Sequence, residues 1–238
     1  MKKLLYLLLS LQMSVVFAYS SDYKIDNNTS VEEIRALLNQ VLELKRSGVA
    51  VVKKTGVQIV DVARRGNAEE VQKLLIEGYN PDKPDKFGYV ALTGAAGKCT
   101  SNHLKILRML VKHGADINRK ATSDGTTAIG HASFMGCENN VKLLIELGAN
   151  VNIVKKHNEY TPLIEAITAS LPSDRVKIVI VKMLLDAGAD PNYGYVGKYS
   201  KKWTTILDVA KSYKNSDVVN LITKEIDNSQ DVTAQILK

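Results

Sequence analysis

Apolar residues recur at helical spacing in four segments of the chain that share one ending. Each segment has a leucine ridge, then a glycine and, two residues after it, an aspartate or asparagine. A glycine just past the last turn ends a helix in the left-handed conformation without a Cβ clash. The glycines, at positions 78, 114, 148 and 188, are 36, 34 and 40 residues apart. This spacing predicts a repeat of about 33 residues with short insertions. The segments are VQKLLIEGYNPD (71–82), ILRMLVKHGADIN (106–118), VKLLIELGANVN (141–152) and VKMLLDAGADPN (181–192).

The beginnings of the repeated units also match one another. Thr161 suits a helix N-cap, and Pro162 at the first helical position loses no hydrogen bond. Three further stretches occupy the same place in their units: Val90-Ala91-Leu92, Thr127-Ala128-Ile129 and Thr205-Ile206-Leu207. Each unit is therefore predicted to be a pair of helices joined by a turn.

A Gly-Lys pair at 97–98 raises the alternative of a phosphate-binding loop. That motif needs a glycine five residues before Gly97 and a hydroxyl after the lysine. The chain has Leu92 and Cys99 at these two positions, which argues against nucleotide binding. The small residues 94–96 instead suit a first helix that lies close to its neighbour.

The pattern resembles the ankyrin repeat. Gly125 to Ala132 (GTTAIGHA) follows the start of that repeat, with the histidine shifted by one place, and Ala63-Arg64-Arg65-Gly66-Asn67 follows its inter-helix turn. The resemblance implies an all-α repeat solenoid, a stack of helix-turn-helix units with β-hairpin-like fingers, flanked by N- and C-terminal capping helices. It places repeats at about 57–83, 84–120, 121–154 and 155–193, with a degenerate one at about 200–224.

The N-terminal residues have the pattern of a secretory signal peptide. Lys2-Lys3 precedes an apolar run from Leu4 to Ala18, which is short for a membrane span of ~20 residues. An uncleaved anchor is the alternative. We expect an exported protein, periplasmic or secreted, of bacterial origin and without a stable membrane span after cleavage. The predicted division is a signal peptide at 1–20, an N-terminal extension with a capping helix at 21–56, repeats at 57–224 and a C-terminal tail at 225–238.

Composition and motifs narrow the function. The net charge of +7 favours a partner with an acidic surface, and nucleic acid is not expected for an exported chain. Hydrolase and protease motifs are absent from the sequence, and the four histidines lack metal-ligand spacing. We therefore expect no enzyme activity, no cofactor, no metal and no small-molecule substrate, and no convergent group of titratable residues.

Cys99 and Cys137 are expected near equivalent points of adjacent repeats. Bridged cysteines need Cα atoms ~4.4–6.8 Å apart, whereas packed helices lie ~8–10 Å apart. This comparison favours two free, mostly buried thiols, although export would permit a disulfide. His131 is expected to be hydrogen-bonded at the base of a finger.

The resemblance implies that a partner protein contacts the finger tips and the inner helix face. The last two fingers combine tyrosine with lysine, a pairing that suits a binding hot spot. The alternative is that these are solvated loops with incidental lysines. The function predicted is a non-catalytic protein-interaction module, with a scaffold of the cell envelope or an enzyme-associated inhibitor or immunity-type protein as alternatives. The candidate partner-binding residues are Lys155, Lys156, Tyr160, Tyr193, Tyr195, Lys198 and Tyr199.

Overall fold

A computed structural model describes residues 58–196 and 201–236 of the chain. The predicted signal peptide, the predicted N-terminal capping helix and the candidate residues Lys198 and Tyr199 lie outside the described residues. The helices are α1 (Ile59–Arg65), α2 (Ala68–Ile76), α3 (Ala91–Ala96), α4 (Ser101–Lys112), α5 (Ala128–Phe134), α6 (Glu138–Glu146), α7 (Pro162–Thr168), α8 (Asp174–Asp186), α9 (Ile206–Ser212) and α10 (Ser216–Ile236); the strands are β1 (Gly194–Val196) and β2 (Trp203–Thr205).

The described helices form two layers. The odd-numbered helices are short and pack side by side in chain order, while the even-numbered ones form the outer layer behind them. The predicted leucine ridges lie in the interface between the layers, where Leu110, Leu144 and Leu184 are fully buried. This arrangement confirms the predicted all-α fold of repeated helix pairs.

The predicted helix starts are confirmed by their hydrogen bonds. The side chains of Thr127, Thr161 and Thr205 each accept a hydrogen bond from a backbone N–H in the first turn of the helix that follows. Asp208 returns a bond to the backbone of Thr205 and so completes a capping box. Equivalent residues therefore begin three successive inner helices.

Glycines end the outer helices and allow one close helix approach. The four predicted helix-ending glycines have φ angles of 83° to 87°, a region that other residues rarely adopt. In α3, an added Cβ on Gly94 would lie 3.3 Å from the carbonyl oxygen of Val60 in α1. The segment with the Gly-Lys pair is thus a packed inner helix and its C-terminal turn, as predicted.

A ladder of hydrogen bonds from backbone N–H groups to side-chain oxygens connects one repeat to the next. The side chain of Asp82 accepts from Asp116 N at 3.0 Å, that of Asn118 from Asn150 N at 2.8 Å, and that of Asn152 from Asp190 N at 2.9 Å. Each accepting side chain belongs to the turn of one repeat and each N–H to the turn of the next. The recurrent Asp and Asn after the glycine therefore hold neighbouring repeats in register.

The first three described fingers are tight turns rather than strand hairpins. Their closing backbone bonds run from Asp85 N to the Tyr89 carbonyl, from Ala121 N to Thr126, and from Lys155 N to Tyr160. Only the last finger forms β-structure within the described residues, where β1 and β2 pair antiparallel. These four loops are the fingers of the structure.

The C-terminal helix is longer than predicted. The last repeat was predicted to end at 224 and to be followed by a tail at 225–238, whereas α10 continues to Ile236. The continuation has a physical reason: Ile222 is buried and Ile226, one turn later, packs partly against the core. Within 58–196 and 201–236, we find no helix whose length and apolarity would let it cross a bilayer.

The prediction of two free thiols is wrong. Cys99 and Cys137 form a disulfide, with Cα atoms 4.9 Å apart. The prediction relied on the distance between packed helix axes. Both cysteines lie instead in inter-helix turns, which approach each other more closely than the helices they follow. Asn140 is buried beside this link and donates to the carbonyls of Ala96 and Lys98.

Candidate functional site

A pocket of about 260 Å³ opens between the fingers and the inner helices α5 and α7. One part of its wall is apolar or aromatic, and the other part is polar and titratable. Phe134 and Met135 come from the end of α5 and are exposed. The apolar or aromatic lining residues include Tyr89, Phe134, Met135 and Tyr160, and the polar ones include Asp124, His131, Lys155 and Glu165.

Two carboxylates share one ammonium group in this pocket. Lys155 Nζ lies 3.0 Å from Glu165 Oε1 and 3.2 Å from Asp124 Oδ2. Burial raises the pKa of Glu165, and the attraction of Lys155 offsets this only in part. Burial also acts on Asp124, but hydrogen bonds from Thr126 and Lys155 outweigh it and lower the pKa of that carboxyl.

The convergence of Asp124, Lys155 and Glu165 was not foreseen from the sequence, which led us to expect no such group. The three residues come from two different fingers and from α7, so their meeting depends on the stacking of the repeats. The lysine of this cluster is the candidate Lys155, and its ammonium is engaged inside the protein rather than presented to a partner.

His131 has a different position from the one predicted. Its Nδ1 lies 2.9 Å from the carbonyl oxygen of Thr93, on the neighbouring inner helix, rather than at the base of a finger. Because a carbonyl only accepts, Nδ1 carries the hydrogen. Among the residues that the structure describes, no group of histidine, cysteine, aspartate and glutamate could hold a metal ion.

The remaining described candidates divide into buried and exposed residues. Tyr195 is only 8% exposed and belongs to the core. Its ring contacts that of Tyr160 edge-on at 5.5 Å, and Tyr193 donates from its hydroxyl to the carbonyl of Glu159. These three tyrosines mainly hold the last two fingers together, while Lys156 is exposed to solvent.

Trp203 was not among the contact residues predicted from the sequence. Val196 and Trp203 lie directly opposite each other in the β1–β2 hairpin, so their side chains share one face. They are 49% and 65% exposed, and the indole ring lies against Gly194. Strand alternation could have indicated this face, because a buried Tyr195 directs its neighbours outward.

Residues 59–155 match the family model of ankyrin repeats, in three copies. This segment is built of ankyrin repeats. The helix pairs that follow it continue the same layers, inner helix against inner helix, through α7 and α9.

Known ankyrin-repeat proteins resemble a large part of the chain at low identity. An ankyrin repeat protein of Acanthamoeba polyphaga mimivirus is 25% identical over 71% of this chain and 20% of its own length. The Homo sapiens ankyrin repeat and SOCS box protein 6 is 29% identical over 67% of this chain and 38% of its own length. A fowlpox virus ankyrin repeat protein is 29% identical over 52% of this chain and 35% of its own length. The chain thus spans well under half the length of these relatives. They are viral and human, and a bacterial source stays a prediction.

The described fingers present more positive than negative charge to solvent. Asp85 accepts from two backbone N–H groups and pairs with Arg64 at 2.9 Å. Asp82 accepts a hydrogen bond of the ladder, and Asp124 pairs with Lys155. Glu159 differs from these carboxylates because it is exposed to solvent. The exposed basic side chains of the described fingers include Lys83, Lys86, Arg119, Lys156 and Lys201.

Proposed function

We propose that this chain is a non-catalytic protein-binding module that holds its partner with the pocket between the fingers and with the face of the last hairpin. The observation that carries the proposal is the exposure of Trp203 beside Val196, and of Phe134 and Met135 at the pocket. Most large apolar side chains of the described repeats are buried. Exposed aromatic and methionine side chains are typical of the energetic centres of interfaces.

The charge of the fingers favours a partner with an acidic surface. The finger aspartates are occupied by backbone N–H groups and by Arg64 or Lys155, while lysines such as Lys83 and Lys156 face solvent. A basic edge accelerates encounter with an acidic protein and contributes less to the final affinity. We therefore expect partner association to slow as ionic strength rises.

We also propose that the protein works in an oxidising compartment after export. The disulfide between Cys99 and Cys137 supports this, because disulfides persist in secreted and periplasmic proteins and are rare in reducing cytosol. Trapping free thiols in intact cells and then measuring the mass of the protein tests it. Two alkylated cysteines would contradict the proposal.

Capture from native cells tests the binding function. The full-length protein is crosslinked, its partner is identified, and the affinity of the purified pair is measured. Trp203→Ala should weaken binding about tenfold or more, as expected for a hot-spot aromatic. Ile76→Ala is the matched control, since Ile76 is also an exposed apolar residue but lies at the end of the outer helix α2.

Both variants should keep the helical circular dichroism of the wild type. Equal partner affinity for Trp203→Ala and Ile76→Ala would show that the last hairpin is not the binding face. A scaffold of the cell envelope, the alternative function, would instead recover only structural proteins and would tolerate both substitutions.

A further inference from the structure

Two carboxylates and one ammonium group line the pocket between α5 and α7. Asp124 and Glu165 each approach the same ammonium group, that of Lys155. With both carboxylates ionised, one negative charge remains without a counterion among these three side chains. An anionic group that entered the pocket would meet a lysine that is already shared between two carboxylates.

Glu165 has a second oxygen that lacks a donor. The residue is only 5% exposed, and its Oε1 binds Lys155. Its Oε2 accepts no hydrogen bond from any of the side chains or backbone groups described in 58–196 and 201–229. A ligand with N–H groups can donate a hydrogen bond to this oxygen, because Glu165 lines the pocket.

The aromatic residues of the lining suit a cation as well. Phe134, Tyr89 and Tyr160 provide aromatic rings, and Met135 provides a polarisable sulfur. Aromatic faces attract ammonium and guanidinium groups. The cavity of about 260 Å³ is smaller than the ~300–1,000 Å³ of pockets for drug-sized ligands, and therefore fits a single side chain.

We propose that this pocket receives one cationic side chain, an arginine or a lysine, of the partner protein. The inference rests on the proposed function, because it names what part of the partner enters the pocket. The basic fingers attract an acidic surface, and the pocket selects within that surface for a single positive charge. Specificity then comes from the position of this one cationic side chain within the acidic surface of the partner.

A titration with small probes tests this without knowing the partner. Nα-acetyl-arginine methylamide is added to full-length protein labelled with ¹³C at its methionine methyl groups, and the Met135 signal is followed by NMR. Nα-acetyl-glutamate methylamide is the anionic control. We expect a saturable shift of the Met135 signal with the arginine probe and none with the glutamate probe at the same concentration.

Two variants of opposite sign sharpen the test. Lys155→Met removes the internal cation and should strengthen binding of the arginine probe, whereas Glu165→Gln should weaken it. Each change should be about tenfold, the size expected when one charge near 4 Å is removed from a partly exposed site. Ile76→Ala, on the outer helix α2, is the control and should bind like the wild type.

No saturable shift in the wild type, or equal shifts with both probes, would overturn the proposal. This result stands even if Lys155→Met fails to fold, which a thermal melt would show. The probe titration and the partner capture are independent measurements. Loss of partner capture in Trp203→Ala with no probe binding would refute the cation pocket and leave the proposed binding function in place.

Discussion

Reduction of the disulfide between Cys99 and Cys137 removes a cross-link between the inter-helix turns of two neighbouring repeats. The link closes a loop of 38 residues. The chain-entropy relation for such a loop gives a stabilisation of about 4 kcal/mol at 25 °C, through restriction of the unfolded chain. For a domain of this size, that is a decrease in melting temperature of roughly 8–16 °C. We expect reductant to lower the free energy of unfolding by this amount.

The assay is urea unfolding followed by circular dichroism, with and without a dithiol reductant. A Cys99→Ser/Cys137→Ala variant provides the control, since it should resemble the reduced wild type and should not respond to reductant. Alanine is chosen at 137 because that side chain is buried, and a hydroxyl there would lack a partner. An unchanged unfolding midpoint after complete reduction of the wild type would refute the argument.

Two further predictions concern the core and the pocket. Leu144→Ala should lower the free energy of unfolding by about 2–5 kcal/mol, because Leu144 is fully buried between the helix layers. Lys142→Ala, on the exposed side of the same helix, is the control and should change it by less than about 0.5 kcal/mol. Chemical denaturation measures both values. Burial disfavours the ammonium of Lys155, but Glu165 and Asp124 outweigh it and raise its pKa above the ordinary 10.5. A raised pKa stabilises the fold below pH 10.5, and this contribution is lost as the pH rises through the folded-state pKa of Lys155. The stability of the wild type should therefore fall faster than that of Lys155→Met above about pH 10.5. Parallel curves for the two proteins in alkaline denaturation would contradict this.

The repeats could be predicted from the sequence because their signals are local. A threonine N-cap such as Thr161, and a glycine such as Gly148 after an outer helix, each act within one turn of the chain. Gly94 could be assigned to a packed inner helix for the same reason. Every unit has at least one of these signals, so an irregular copy did not obscure the pattern.

The pocket and the disulfide could not be predicted because they depend on distances between repeats. Lys155 meets Asp124 from the preceding finger and Glu165 from the following helix, and no spacing in the sequence marks that meeting. Cys99 and Cys137 were judged by the separation of helix axes, a quantity that does not apply to turns. Tyr195 was expected at a contact surface, but a three-residue strand turns its ring into the core.

The ladder formed by Asp82, Asn118 and Asn152 fixes the pitch of the fingers independently of how long each unit is. Its bonds stay between 2.8 and 3.0 Å although the helix-ending glycines are 34 to 40 residues apart. The surplus length of the longest unit is accommodated at the far end of the helices, between Thr168 and Asp174. A segment inserted at that turn would leave the fingers evenly spaced, so the protein could carry an additional loop or domain there without a change in the row of fingers.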